Sequence, residues 1–178
     1  MRVVFLDRDG TINIDHGYVH RSEDWEFTEG ALDGLRLLRD AGFTLAVVSN
    51  QSGIASGRYT AGDVLRLHSW ARQRLRDSGV DVAGWAFCPH AASAKCQCRK
   101  PQIGLAQEIA SQLGGVIDYA ASWTIGDKES DVLFGNSLRT RTVLLASRYW
   151  HPAEVNCHPT LVADTLRTAA IQILEKGG

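Results

Sequence analysis

The amino-acid sequence predicts an α/β fold, in which helices cover both faces of a parallel β-sheet. Short, wholly apolar runs alternate along the chain with longer segments that carry apolar residues at helical spacing. The first run, Val3–Leu6, contains no polar residue, which is typical of a strand buried on both faces. Polar or acidic clusters follow at least three of the runs, so we expect a functional site at one edge of the sheet.

Six apolar runs predict the strands of this sheet. The second run ends at the polar segment 49–53, and the third leads into a loop that is rich in cysteine and histidine. The predicted strands are, in chain order, Val3–Leu6, Thr44–Val48, Trp85–Phe87, Ser122–Ile125, Thr142–Ala146 and Leu161–Ala163.

Four segments predict helices. The first carries leucines at helical spacing from Leu32 to Leu38, and Gly42 suits its C-terminal cap. The second follows Thr60, a favourable N-cap residue. Pro101 suits the first turn of the third helix, where a backbone N–H has no intrahelical partner. The predicted helices run from about Ala31 to Ala41, from Thr60 to Gly79, from Pro101 to about Leu113, and from about Leu166 to Glu175.

Length and composition limit the possible functions. A chain of 178 residues with 44% hydrophobic residues suits a single domain, 1–178, and leaves no room for a second domain of any size. The net charge of −1 argues against binding to nucleic acid or to an anionic membrane. No apolar run reaches the roughly 20 residues that span a bilayer, and the first residues lack the layout of a signal peptide. We therefore expect a cytoplasmic protein, monomeric by default.

Three aspartates follow predicted strands and suggest a metal site. Asp7 and Asp9 come directly after the first strand, two residues apart, so their side chains point to the same side of an extended chain. Two neighbouring carboxylates repel each other unless a cation lies between them or one of them holds a proton. Together with Asp127 after the fourth strand they would form an oxygen site that suits Mg²⁺. The alternative is a simple turn, because Asp, Gly and Thr are ordinary turn residues.

Other residues near the strand ends suit a phosphate group. Ser49 offers a hydroxyl, and the turn 50–53 offers backbone N–H groups that can hold phosphate oxygens. Lys100 supplies a compact positive charge. The aspartates would hold the metal ion, while these groups would hold a dianionic phosphate.

The spacing of three cysteines and a histidine predicts a zinc site. Cys88, His90, Cys96 and Cys98 provide four donors within eleven residues, enough to complete a tetrahedral Zn²⁺ site. With no open position the zinc ion would be structural, and it would clamp the loop that carries Arg99 and Lys100. Buried free thiols beside a histidine that faces the solvent are the alternative.

The motifs resemble those of the haloacid-dehalogenase superfamily of phosphatases, and all four occur in order. Residues 7–11, Asp-Arg-Asp-Gly-Thr, are similar to the first motif, Ser49 to the second, Lys100 to the third, and Gly126-Asp127 with Asp131 to the fourth. Residues 15–19, 49–55 and 88–101 resemble the heptose bisphosphate phosphatases within that superfamily, to which the histidinol-phosphate phosphatases are closely related. The resemblance implies a Rossmann-like fold, with a minimal cap or none because no large insertion fits between the motifs.

The resemblance also implies a reaction. It predicts Mg²⁺-dependent removal of the 7-phosphate of D-glycero-D-manno-heptose 1,7-bisphosphate through an aspartyl-phosphate, in the synthesis of nucleotide-activated heptose for lipopolysaccharide core or a related glycan. Asp7 would be the nucleophile and Asp9 the general acid and base. Asp7, Asp127 and the backbone carbonyl of Asp9 would hold Mg²⁺, while Ser49 and Lys100 would stabilise the transferred group. Histidinol phosphate or another small sugar phosphate is the alternative substrate, and a zinc-stabilised binding protein is the alternative that is not an enzyme.

The resemblance also assigns further residues to the substrate, and for residues 15–18 the alternative is an ordered turn. One interval departs from the family pattern, because only five residues separate His90 from Cys96 where the family often has a longer loop. Since that loop borders the substrate, the resemblance leaves the preferred anomer open. For Arg99 the alternative to binding a second phosphate is a surface ion pair, and Asp131 would either orient Lys100 or begin a helix. The predicted substrate-binding residues are Asp15, His16, Gly17, Tyr18, Asn50, Gln51, Ser52, Arg99 and Lys128.

Overall fold

A computed structural model describes residues 1–148 and 156–177 and confirms the predicted α/β fold. Its six strands form one parallel sheet in the order β3-β2-β1-β4-β5-β6. The strands are β1 Val3–Leu6, β2 Thr44–Asn50, β3 Gly84–Cys88, β4 Trp123–Gly126, β5 Arg141–Leu145 and β6 Leu161–Ala163. The helices are α1 Ala31–Asp40, α2 Ala61–Asp77, α3 Gly104–Leu113, α4 Glu129–Leu138 and α5 Leu166–Glu175, and a short 3-10 helix spans Ser22–Asp24.

Strand β1 lies in the middle of the sheet and is buried on both faces. Val4 and Leu6 belong to the core under α1, α2 and α5, whereas Val3 and Phe5 belong to the core under α3 and α4. This alternation follows from the two-residue period of a strand, and it explains why the whole run is apolar. Because β1 pairs with both β2 and β4, its carboxyl end lies between the ends of those two strands.

Of the four predicted helices, α2 and α5 form where the sequence predicts them, α1 ends one residue early at Asp40, and α3 begins three residues late. Thr60 caps α2 through a reciprocal capping box with Asp63, as its N-cap preference predicts. Helix α3 begins at Gly104 and not at Pro101. The residues between them form a turn, after which the Gly104 N–H donates to the Gln97 carbonyl. The closing helix α5 has the predicted bounds.

The sequence predicts no bounds for helix α4 and offers a helix start at Asp131 only as one alternative. Its sequence contains serine, glycine and asparagine, which favour helices weakly. Packing supplies what the local sequence lacks, since Gly135 lies directly against the side chains of Thr124 in β4 and Thr142 in β5. Tertiary contact with the sheet therefore decides this helix.

The segments between strands contain no additional domain within the described residues. The longest one before α1, residues 7–30, holds only the 3-10 helix and two isolated bridges. The site at the sheet edge is therefore covered by loops alone, which agrees with the expected lack of a large cap. None of the helices in the described ranges has the length and apolar character that crossing a membrane requires.

We predict that Gly34→Ala lowers the stability of the fold. A Cβ at this position in α1 would lie 2.5 Å from the carbonyl oxygen of Leu166, and backbone cannot move aside as a side chain can. Alanine gains about 1 kcal/mol in helix propensity over glycine, but overpacking costs about 1–3 kcal/mol. Urea denaturation should show a net loss of about 1 kcal/mol. Gly62→Ala in α2 is the matched control, because its Cβ would meet no atom closer than 3.5 Å; equal stability of the two variants would contradict the prediction.

Candidate active site

The site lies where the carboxyl ends of β1, β2 and β4 meet. Asp7 follows β1, Ser49 is near the end of β2, and Asp127 follows β4. The backbone N–H of Asp7 donates to the carbonyl of Ile125 in β4 at 2.9 Å, so the chain is still held in the sheet at that residue. The sheet therefore brings together the three side chains that the sequence places at strand ends.

The ammonium of Lys100 is the most constrained group of the site. It is buried, with 3% of the residue exposed, and lies 2.7 Å from Asp7 Oδ1, from Asp131 Oδ1 and from the backbone carbonyl of Val48. Burial alone would lower the pKa of Lys100, but the carboxylates of Asp131 and Asp7 outweigh it and raise the pKa above its ordinary value. Lys100 therefore stays positively charged beside Asp7.

Two other side chains hold Lys100 in position. Asn50 Oδ1 accepts a hydrogen bond from the Lys100 N–H at 3.0 Å, and Asn50 Nδ2 donates to the Lys100 carbonyl at 3.2 Å. The amide of Asn50, predicted to bind substrate, thus positions the lysine backbone. Asp131 both pairs with the lysine ammonium and accepts from the Lys128 N–H at the start of α4, so it fulfils both roles that the sequence left open.

Asp127 has the features expected of a metal ligand. It is 1% exposed, and its Oδ1 atom is buried without a hydrogen-bond partner among the described residues. Burial raises its pKa to about 7, and the neighbouring Asp7 carboxylate adds to the shift. Gly10 approaches it so closely that a Cβ there would lie 2.2 Å from Asp127 Oδ2.

Three carboxylates come close enough to share a cation. One oxygen from each of Asp7, Asp127 and Asp131 lies within 4.8 Å of the others. Hard oxygen donors of this kind suit Mg²⁺, and a cation would also satisfy the oxygen of Asp127 that accepts no hydrogen bond. The carboxylate of Asp9 lies outside this cluster, which leaves only its backbone carbonyl for the metal contact that the resemblance implies.

The carboxylate of Asp9 is held by three side chains. Arg8, which is fully buried, contacts both of its oxygens, with Nη2 at 2.8 Å from each. Asn13 Nδ2 donates to Oδ1 at 2.9 Å, and Gln51 Nε2 donates to Oδ2 at 2.8 Å. The orientation of Asp9 is therefore fixed before any substrate binds.

A cavity of about 350 Å³ opens over these groups and gathers most of the predicted residues. On one side Lys128 Nζ lies 3.3 Å from Asp15 Oδ2 and 3.6 Å from Asp127 Oδ1. On the other side the Arg99 guanidinium donates to the carbonyl of His90 at 3.3 Å. The predicted residues that line the cavity are Asp7, Asp9, Asp15, Tyr18, Ser49, Asn50, Gln51, Ser52, Arg99, Lys100 and Lys128.

His16 and Gly17 do not line this cavity. They face a neighbouring cleft of about 890 Å³, in which His16 pairs with Glu26 at 3.5 Å. The chain turns away from the cavity here because Gly17 and Tyr18 both adopt positive φ angles. Tyr18 lies at the boundary and lines both spaces.

The cysteine-histidine loop forms a compact cluster whose dimensions suit zinc. Cys88 Sγ lies 3.7 Å from Cys96 Sγ and 3.5 Å from His90 Nδ1, and His90 Nδ1 lies 3.2 Å from Cys98 Sγ. A tetrahedron with Zn–S bonds of about 2.3 Å has edges of about 3.8 Å, close to the separation of the two sulfur atoms. None of the four cysteines forms a disulfide.

Sequence reasoning missed part of the cavity wall. Tyr59 and Ser130 line it, and Tyr59 OH donates to Gln51 Oε1 at 2.7 Å. Ser147 was also missed, and its Oγ atom donates a hydrogen bond to Asp127 Oδ2 at 3.2 Å. The spacing of eight residues between Gln51 and Tyr59 matches no motif, so the sequence contains no signal for Tyr59. Ser147 could have been found, because it follows the fifth strand.

Comparisons with known proteins identify relatives over most of the chain. A family model described as polynucleotide kinase 3 phosphatase matches residues 2–139. The D-glycero-beta-D-manno-heptose-1,7-bisphosphate 7-phosphatase of Yersinia pestis is 45% identical over 136 residues, which cover 72% of this chain and 71% of that protein. The enzyme of the same name from Pasteurella multocida strain Pm70 is 39% identical over 150 residues, 81% of this chain and 80% of that protein.

A solved structure is also similar over its whole length. The crystal structure of D,D-heptose 1.7-bisphosphate phosphatase from B. bronchiseptica, complexed with magnesium and phosphate, aligns with a TM-score of 0.87 at 27% identity. The alignment covers 99% of this chain and 100% of that one. The fold and the arrangement of strands are therefore shared with a phosphatase that binds both ions.

The raised pKa of Asp127 predicts how stability depends on pH without magnesium. An unfolded aspartate has a pKa near 3.9, so between about pH 4 and 7 the folded protein holds a proton that the unfolded chain has released. Unfolding free energy should therefore fall as pH rises through this range, by a few kcal/mol at most. Denaturation at pH 5 to 8 in magnesium-free buffer without chelator measures this slope. Asp127→Asn should flatten it, and an unchanged slope in that variant would contradict the prediction.

Proposed function

Because this chain belongs to the family of heptose bisphosphate phosphatases, we propose that it hydrolyses the 7-phosphate of D-glycero-β-D-manno-heptose 1,7-bisphosphate. The observation that carries the proposal is the buried ammonium of Lys100, held between Asp7 and Asp131, with the carboxylate of Asp127 close to both aspartates. A nucleophile and a fixed positive charge thus line one cavity, next to a cluster of carboxylates. The β anomer is taken from the names of the relatives.

The first step transfers the phosphoryl group to Asp7. A carboxylate oxygen of Asp7 forms a bond to phosphorus while the bond from phosphorus to the sugar oxygen breaks. The electron pair of that bond stays on the sugar oxygen, which takes a proton from Asp9. Asp9 must enter this step protonated, and its position two residues after the nucleophile lets it act beside the same phosphate.

The second step releases inorganic phosphate. Asp9, now a carboxylate, takes a proton from a water molecule whose oxygen bonds to phosphorus, and the bond between phosphorus and Asp7 breaks. This restores the carboxylate of Asp7 and the proton on Asp9. Lys100 and the hydroxyl of Ser49 lie where they stabilise negative charge on the transferred group in both steps.

We propose that Asp7, Asp127 and the Asp9 carbonyl hold Mg²⁺, with Asp131 close behind them. A bound Mg²⁺ ion would neutralise charge on the phosphate and bring it towards Asp7. Asp131 already contacts the Lys100 ammonium with one oxygen and accepts from the Lys128 N–H with the other. We therefore propose that Asp131 positions Lys100.

The rest of the cavity would bind the sugar and its second phosphate. Asp15 and Lys128 form an ion pair at its rim, where they can exchange hydrogen bonds with sugar hydroxyls. Arg99 lies on the opposite wall and can pair with the phosphate that is not removed. The zinc loop carries both Arg99 and Lys100, so clamping that loop would fix the distance between the two phosphate sites.

The setting of the reaction follows from these assignments. Four unbridged cysteines and a zinc site suit a reducing compartment, so we place the protein in the cytoplasm. All the residues proposed for the site come from one chain, so residues 1–178 would work as a monomeric phosphatase domain. Its product would serve the synthesis of activated heptose for lipopolysaccharide or a related glycan.

Substrate comparison tests the proposed reaction. Phosphate release with Mg²⁺ should be measured on both anomers of heptose 1,7-bisphosphate, on histidinol phosphate and on an oligonucleotide 3′-phosphate. We expect kcat/KM for the β anomer to exceed that for the other three substrates by about a hundredfold, because the site pairs with groups they lack or present differently. Equal rates on all four substrates would refute the assignment, and preference for histidinol phosphate or the oligonucleotide would replace it.

Removal of the proposed nucleophile should abolish turnover. Asp7→Asn has nearly the same shape, but a carboxamide cannot accept the phosphoryl group, so we expect kcat to fall at least about 10³-fold. Asp40→Asn, at an exposed ion pair on α1, is the control and should keep full activity. Circular dichroism checks that both variants fold. A rate for Asp7→Asn near that of the parent protein would rule out the covalent mechanism.

Zinc analysis tests the proposed clamp. We expect about one equivalent of zinc in the purified protein, and its loss in Cys98→Ala together with lower phosphatase activity, because the loop that carries Lys100 loosens. Cys157→Ala is the matched control. The Cys157 thiol lies outside the cluster, so the zinc content of this variant should equal that of the parent protein. Well under one equivalent in the carefully handled parent protein would contradict the assignment.

A further inference from the structure

The side-chain amide of Gln51 connects two residues of the proposed mechanism. Its Nε2 atom donates to Asp9 Oδ2 and to Ser49 Oγ, both at 2.8 Å. Gln51 is 2% exposed, and its backbone N–H donates to the Cys88 carbonyl, so neither its backbone nor its side chain is free to turn towards solvent. Gln51, which the sequence predicts to bind substrate, lines the cavity while its side-chain amide is hydrogen-bonded to three residues of the protein.

The hydroxyl of Tyr59 determines which way this amide points. Tyr59 OH lies 2.7 Å from Gln51 Oε1 and donates to it. A flipped amide would place its carbonyl oxygen against the Asp9 carboxylate and would give the tyrosine an N–H to accept instead. The phenol proton therefore favours the orientation in which the N–H groups face Asp9 and Ser49.

The ring of Tyr59 is held firmly in place. It packs against Gly53, where a Cβ would lie 2.2 Å from the ring, so the loop after β2 can follow this path only with glycine. On its other side the ring stacks on His20, with centroids 4.8 Å apart and planes 14° apart. Burial raises the pKa of Tyr59 to about 12, so the hydroxyl keeps its proton at neutral pH.

We propose that Tyr59, acting through Gln51, is a positioning residue that orients the Asp9 carboxyl towards the departing sugar oxygen. This inference rests on the proposed role of Asp9 as the general acid. Tyr59 takes no part in bond making, and its contribution is confined to the step in which the leaving group needs a proton. Packing alone would not require the hydroxyl, because a phenylalanine ring would fill the same space.

Leaving-group dependence separates positioning from packing. A sugar alkoxide is a strong base and must be protonated as it leaves, whereas p-nitrophenolate is a weak base and leaves without help. The test compares kcat/KM of Tyr59→Phe with that of the parent protein on heptose 1,7-bisphosphate and on p-nitrophenyl phosphate. This constant reports the steps up to the first irreversible one, so slow hydrolysis of the aspartyl-phosphate does not obscure the result.

We expect a selective loss. Removing one neutral hydrogen bond should lower kcat/KM on the sugar phosphate about five- to tenfold, with less than about a twofold change on p-nitrophenyl phosphate. Equal losses on both substrates, or no loss on either, would overturn the inference. If Tyr59→Phe does not fold, as judged by thermal denaturation, Tyr59→Leu takes its place under the same criterion, because it also removes the hydroxyl and leaves Gln51 intact.

The design distinguishes this inference from the proposed function. Tyr119→Phe is the matched control: Tyr119 stacks on Phe5 away from the cavity, and its loss of a hydroxyl should leave both rates unchanged. If the parent protein hydrolyses another alkyl phosphate in place of the heptose compound, the proposed substrate is wrong. The role of Tyr59 is then tested by the loss of kcat/KM on that alkyl phosphate relative to the loss on p-nitrophenyl phosphate. If the parent protein hydrolyses no phosphate ester, both proposals are refuted.

Discussion

The buried ammonium of Lys100 is the interaction on which the candidate site depends. An ion removed from water costs several kcal/mol even after relaxation, so it is tolerated only where its partners are complete. Here the partners come from three separate elements: Val48 from β2, Asp7 from the residue after β1, and Asp131 from the first turn of α4. Removing either carboxylate leaves the buried ammonium with only part of its compensation. The lysine therefore fixes the relative positions of the nucleophile and of α4.

The position of the ammonium in turn requires a fixed backbone at residue 100. Asn50 holds that backbone from β2 by a pair of hydrogen bonds, and the cysteine-histidine cluster begins at the end of β3 and returns to Cys98. Asn50 holds residue 100 itself and the cluster holds the chain two residues before it, so the loop has little freedom where it enters the site. This arrangement explains why the cysteine-histidine cluster, which has no catalytic role, lies so close to the candidate active site, where the geometry must be precise.

The sequence predicted the parts of the fold that depend on local pattern. β1 was fixed to the residue by its unbroken apolar run, and α2 by the capping preference of Thr60. The bounds of helix α4 were not predicted, because its stability comes from packing of Gly135 on the sheet and not from propensity. Strand ends predicted that Asp7 and Asp127 converge, since parallel strands share an edge, but the third carboxylate of the cluster is that of Asp131 in α4 and not that of Asp9. The bridge from Tyr59 to Gln51 could not be predicted, because it joins side chains whose contact depends on the path of a loop.

The charge balance of the site argues that metal ion and phosphate bind together. Five carboxylates line or underlie the cavity, those of Asp7, Asp9, Asp15, Asp127 and Asp131, against four cations from Arg8, Arg99, Lys100 and Lys128. A phosphate dianion alone would raise this excess of negative charge from one to three, and charges 4 Å apart interact by about 4 kcal/mol near a protein surface. A divalent cation bound with it restores the original balance. Burial raises the pKa of Asp127 most, and the neighbouring Asp7 carboxylate adds to the shift, so in the absence of a cation a proton on this carboxyl relieves part of the imbalance.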